Sequence, residues 1–123
     1  MNLTLPYPIS ANRYWRTFRG RQVVSKEAVE YKRAAAIAAT ESGLGGVFMG
    51  RVRVSIGLAP KKPQRASKAV TRCVDLDNAL KVTIDALKGI CYADDAQIWS
   101  LYAERVDPVP GGAVYVSVQE IAE

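Results

Sequence analysis

Apolar and polar residues alternate with period two in several separate stretches, and each predicts a strand with one buried face. Asn2–Leu5 (NLTL) is the first, and Pro6 and Pro8 prevent it from continuing as a central strand. Residues 51–58 (RVRVSIGL) are the clearest, with Val52, Val54, Ile56 and Leu58 expected to face inward. Residues 97–103 and 113–121 (AVYVSVQEI) alternate in the same way, with Ile98, Leu101, Val114, Val116 and Val118 expected in the core, and are joined through the turn DPVPGG. A loop SANRYWR leads into RTFRGRQVVS, where Arg19-Gly20 separates two short runs and predicts a hairpin turn.

The period changes to a helical one in two places. KEAVEYKRAAAIAATESG follows Ser25, a good N-cap, and ends at Gly43; its inward stripe is Ala28, Tyr31, Ala35 and Ala38/Ala39. A second helix is expected from Asp77 to Lys88, where Leu76, Leu80, Ile84 and Leu87 recur at helical spacing before Gly89. Residues 59–72 (APKKPQRASKAVTR) have no usable period and predict a mobile basic loop. The resulting fold class is α/β of the α+β type. A mixed sheet carries two main helices in one compact domain spanning residues 1–123, the two-layer solution for these elements.

Composition narrows the chemistry. The chain has no histidine, which excludes His-based triads and His-rich zinc sites. Cys73 and Cys91 are too few for a disulfide framework or a four-thiolate zinc site, so they read as reduced thiols of a cytoplasmic protein. Neither a signal peptide nor a membrane span is expected. The net charge is +5 and is unevenly divided. Residues 1–72 carry 14 Lys/Arg against 3 Asp/Glu, and residues 73–123 carry 3 against 9. A polyanionic partner for the basic half is the implication.

The acids of the other half are grouped. Asp75 and Asp77 open the second helix in DLDNALK and share a face if residues 75–77 enter it extended with Asp77 as the cap, and Lys81 stands four residues after Asp77 on the same helical face. Asp85 and Lys88 continue that stripe. The seven residues 89–95 can span about 23 Å if extended, enough to bring Asp94 or Asp95 back to the helix start. Asp85, about 12 Å up the helix from Asp77, is then a poor ligand for the same ion. Clustered carboxylates repel one another unless a cation intervenes, and Mg²⁺ suits one or two carboxylates with water and phosphate oxygens. Without histidine, water activated by a metal is the most available nucleophile, and Lys81 would stabilise the developing anion. Metal-dependent phosphodiester hydrolysis is the chemistry these residue types point to. A nucleic-acid-binding module with structural aspartates is the alternative, and a D-x-D phosphatase or sugar-nucleotide transferase ranks third.

A basic surface accompanies the acids. Arg13, Arg16, Arg19 and Arg21 are interleaved with Tyr14, Trp15 and Phe18, combining phosphate ligands with stacking planes. Lys61, Lys62, Arg65, Lys68 and Arg72 lead directly into Asp75 and would draw a DNA backbone toward the acids.

These residues resemble a known family. L-P-x-P-x-S-x-N-R-Y near the N-terminus, D-L-D-N-x-x-K at 75–81, D-A-L at 85–87, Gly89 and D-D-A-Q-I at 94–98 resemble the RusA-type Holliday-junction resolvases, over about residues 3 to 118. The resemblance implies a homodimeric, often prophage-encoded endodeoxyribonuclease of recombination and repair. Such an enzyme binds branched DNA and nicks two opposed strands of a four-way junction with Mg²⁺ or Mn²⁺. It assigns the catalytic and metal-binding acids to Asp75, Asp77 and Asp95, and the catalytic lysine to Lys81. Cys73-Val74 replaces the basic residues common before the first aspartate, and Ile9 replaces a common proline.

Overall fold

The computed structural model describes residues 1–43, 46–62 and 74–122. Four strands form one sheet in the order β1-β6-β4-β5: β1 is Asn2–Leu5, β4 Val52–Ala59, β5 Ile98–Arg105 and β6 Ala113–Glu120. β4 runs parallel to β5 and antiparallel to β6, so the sheet is mixed as expected. The register Leu3↔Val116, Leu5↔Val114, Ile56↔Val116 and Leu58↔Val114 places the alternating apolar residues on one face. Val52, Val54, Ile56, Leu58, Val114, Val116 and Val118 are all buried there. Leu101, expected in the core, is 45 % exposed, because β5 is an edge strand.

Two main helices cover the buried face. α2 (Lys26–Glu41) begins at Ser25, whose hydroxyl oxygen accepts from the Ala28 amide, and it buries Ala28, Tyr31, Ala35 and Ala39. α3 (Leu76–Leu87) connects the parallel pair β4 and β5 and buries Ala79, Val82, Thr83, Ala86 and Leu87. Its start differs from expectation. Asp75, not Asp77, holds the N-cap position, with extended backbone (φ −55°, ψ 140°) and no side-chain capping bond. Asp77 lies in the first helical turn, so residues 75–77 are not one extended segment.

Part of the predicted loop at residues 10–16 is ordered instead as α1 (Ala11–Tyr14), a single turn, followed at once by β2 (Trp15–Phe18). β2 pairs with β3 (Arg21–Val24) in the expected hairpin. Arg19 and Gly20 both have positive φ, 51° and 74°, the geometry a two-residue turn needs to match strand twist. Ser25 fastens this hairpin to α2, since its amide donates to the Tyr14 carbonyl and its hydroxyl to the Arg13 carbonyl. No described helix is long and apolar enough to cross a membrane.

Candidate functional site

α3 supplies most of the site. Lys81, Ile84, Asp85 and Lys88 recur at the spacing of one helical face, and together with Trp15 and Asp95 they line a pocket of about 270 Å³. Asp95 arrives there because the chain after α3 folds back tightly. The buried Tyr92 donates its hydroxyl to the Ile84 carbonyl, and its own carbonyl accepts from the Gly89 amide. The returning segment is therefore not extended. It delivers Asp95 beside Lys81, Asp85 and Lys88. Asp85, set aside above on helical rise alone, is the second acid of this pocket.

The acidic turn is rigidly held. Asp95–Gln97 form a 3-10 turn, capped by Asp94, whose Oδ1 accepts from the Ala96 amide. That backbone donor is the main reason the Asp94 carboxyl lies below its ordinary range. Gln97 completes the cap: its Oε1 accepts from the amides of Ala93 and Asp94, and its Nε2 donates to the carbonyls of Phe48 and Gly50. Asp94 is thus committed to structure, and Asp95 is the member of the pair that faces the pocket.

Asp85 is oriented from behind. The Tyr14 hydroxyl donates to its Oδ2 at 2.5 Å, and Tyr14 itself is fully buried. Burial, then the hydrogen bond to Asp85, push the Tyr14 phenol far above its usual range, so it remains a donor across neutral pH. Neither spacing nor composition identified this contact, which joins residues 71 apart in the chain.

Asp75 and Asp77 are exposed at the N-terminal end of α3 and do not line this pocket. Among the described residues no three acidic or thiol side chains converge as an all-protein metal cage. The donor set still suits Mg²⁺, which takes one or two carboxylates and fills its remaining positions with water and substrate phosphate. Asp85 and Asp95 in one pocket provide carboxylate oxygens of that kind, whereas Asp77, two helical turns below Asp85, is too far along the helix to share an ion with Asp85.

The cations have varied surroundings. Arg13 pairs with Glu27 at 2.5 Å on the surface. Arg16 and Arg19 lie 5.9 and 5.3 Å from the ring centre of Phe18, which is 53 % exposed at the hairpin tip. Lys61 Nζ is 5.0 Å from the Tyr7 ring centre, and Lys62 is exposed. Arg65, Lys68 and Arg72 lie outside the described residues, as does Cys73. Cys91 is buried and its thiol is pushed up to about 11, which makes it a core residue and a poor nucleophile.

Comparison with known proteins points the same way. Residues 6–119 match the family described as Endodeoxyribonuclease RusA. The chain is 33 % identical over 122 residues to a crossover junction endodeoxyribonuclease RusA of Escherichia coli K12, covering 98 % of this chain and 94 % of the relative. It is 30 % identical over 123 residues to the protein of the same name from Enterobacteria phage 82, covering 98 % and 94 %. A Shigella sonnei relative is 31 % identical over 125 residues, again covering 98 % and 94 %.

Proposed function

As the chain belongs to the RusA family of endodeoxyribonucleases, we propose that it resolves four-way DNA junctions by hydrolysing a phosphodiester bond in each of two opposed strands. The supporting observation is the pocket in which Lys81 stands beside Asp85 and Asp95, flanked by the basic hairpin. Asp95 would hold Mg²⁺ either with Asp85 in this pocket or with Asp75 and Asp77 at the helix start, since Asp85 and Asp77 stand about 12 Å apart along α3 and cannot share one ion. The bound cation would supply Lewis acidity to water and to the scissile phosphate. Lys81 Nζ offsets negative charge accumulating on the phosphate oxygens, and Tyr14 keeps the Asp85 carboxylate aimed into the pocket. Arg16, Arg19 and Lys62 attract the DNA backbone, a contribution that weakens with salt. Cutting two opposed strands needs two such sites, so a homodimer on branched DNA is part of the proposal.

The test is cleavage of an end-labelled four-way junction beside a linear duplex of equal length, with Mg²⁺, with EDTA, and with Asp95→Asn. Paired nicks in the junction alone, requiring both metal and Asp95, are expected. Tight junction binding without cleavage under any divalent ion would make the acids structural and the chain a binding module.

A further inference from the structure

Adjoining the carboxylate pocket is a larger one of about 470 Å³, and Lys88 belongs to both walls. One side is a face of α2, where Val29, Lys32 and Arg33 recur at helical spacing. Val24, at the end of β3, and Ile90, after α3, contribute from elsewhere. Among the described residues no acid lines this pocket. Its one neutral polar side chain, Tyr14, already donates its hydroxyl to Asp85. What remains for a ligand is apolar surface and three positive charges.

This face is left open by the fold. Val24 and Val29 are 43 % and 47 % exposed, and Ile37, one turn beyond Arg33, is 54 % exposed. Lys88 also faces the acids of the neighbouring pocket, but among the described residues neither Lys32 nor Arg33 forms an ion pair. Single apolar residues on a surface need no explanation, whereas a concave apolar cluster beside uncompensated charge marks a contact site.

Charge and polarity together select the occupant. A nucleic acid brings phosphates for the cations, but its bases carry polar edges that an apolar floor would strip of water without returning a hydrogen bond. A protein segment with one or two apolar side chains between aspartates or glutamates satisfies both features. The apolar groups fill the floor, and the carboxylates meet Lys32 and Arg33 in charge-assisted hydrogen bonds. The volume lies within the range of about 300–1,000 Å³ typical of pockets that bury a small ligand, and it admits one or two such side chains.

We propose that this pocket docks an acidic segment of a partner protein through an apolar side chain. Lys32 and Arg33 set the preference for acids, and Val24, Val29 and Ile90 grip the apolar group. The shared Lys88, and the Tyr14 ring that backs Asp85, place the docked partner directly beside the carboxylate pocket.

The test is fluorescence anisotropy of a labelled peptide in which Leu-Phe stands between two aspartates on each side, titrated with the full chain. Saturable binding below about 1 mM is expected. A peptide with Ser-Ser in place of Leu-Phe should bind about tenfold more weakly. Affinity should fall at least about tenfold in Val29→Asp and in the double variant Lys32→Glu/Arg33→Glu, where attraction becomes repulsion. Val29 and Arg33 are exposed and Lys32 is half-buried, so these variants keep the fold, and thermal melts verify it. Amide shifts on peptide binding should cluster at Val29, Lys32, Arg33 and Ile90. No saturation, equal binding of the serine peptide, or indifference to both variants overturns the proposal. So does a double variant that loses junction affinity while its peptide affinity is unchanged, which would assign the face to DNA. A chain that binds the peptide as described and cuts no junction would sink the nuclease reading and leave the docking pocket standing.

Discussion

The contact between Tyr14 and Asp85 allows a quantitative test of how the site is built. Tyr14→Phe removes only the hydroxyl that donates to Asp85 Oδ2 and leaves the ring in its buried place against Trp15, 4.5 Å between centroids. A hydrogen bond to a charged group contributes about 1.5–3 kcal/mol when its removal leaves the partner buried. Asp85 is half-buried on the pocket side, so water can partly replace the lost donor and the low end, about 1.5 kcal/mol, applies. For a domain of this size that lowers Tm by roughly 4–7 °C. Asp85→Asn weakens the same bond from the other side. The double variant should therefore cost less than the sum of the two singles, with a coupling of about 1 kcal/mol. Thermal melts and urea midpoints of the four proteins measure it. Single losses that add to within about 0.3 kcal/mol would show that the two groups do not interact and that Asp85 is held by something else. A junction-cleavage rate reduced in Tyr14→Phe at a temperature where it is fully folded would place the hydroxyl in positioning as well as stability.

Two further predictions follow from hydrogen-bond donors elsewhere. Tyr14, Tyr31 and Tyr92 donate their hydroxyls to Asp85, the Pro6 carbonyl and the Ile84 carbonyl, and burial is the main cause raising all three phenols above the usual value of 10.0. The folded state thus keeps protons that the unfolded chain releases, so stability is intact below pH about 10 and falls above it. The slope approaches about 4 kcal/mol per pH unit if all three remain protonated. Urea midpoints across pH 8–11 measure it, and a flat profile would refute the assignment. Gln97→Ala frees four backbone groups and should lower the urea midpoint by the equivalent of about 2–3 kcal/mol. Hydrogen exchange should accelerate most at the Ala93 and Asp94 amides, and unchanged protection there would show that the turn is held by other contacts.

Much of the sheet was legible because its signal is local. Alternation in RVRVSIGL and AVYVSVQEI reports burial on one face, and both strands place those residues in the core. Ser25 and the alanine stripe specified α2 for the same reason, since cap and face are read within a few residues. Leu101 was misplaced because alternation says which side a residue faces and not whether a helix covers it. α1 escaped notice because one turn is too short for a period to register; it is fixed by tertiary contacts, including the buried Tyr14 ring.

The site was legible in its residue types and less so in its arrangement. Lys81 and Asp95 share a pocket, yet the route by which Asp95 reaches it depends on Tyr92, whose buried ring and bond to Ile84 fold the chain back early. An extended-chain estimate gives the greatest reach of residues 89–95, and a compact turn uses far less of it. Asp85 was discounted on helical rise alone, although its place four residues after Lys81 already put it on the same helical stripe. A second pocket, lined by Ala11, Asn12, Trp15, Gln22, Asn78 and Lys81, was invisible for a different reason. Asn12, Gln22 and Asn78 are 66 positions apart from first to last and share no motif, and only the closure of the hairpin against α3 brings them around Trp15. Charge attracts DNA over long range and shows in composition, whereas a pocket needs groups from separate elements to meet. That information lies in the tertiary fold and not in any stretch of sequence.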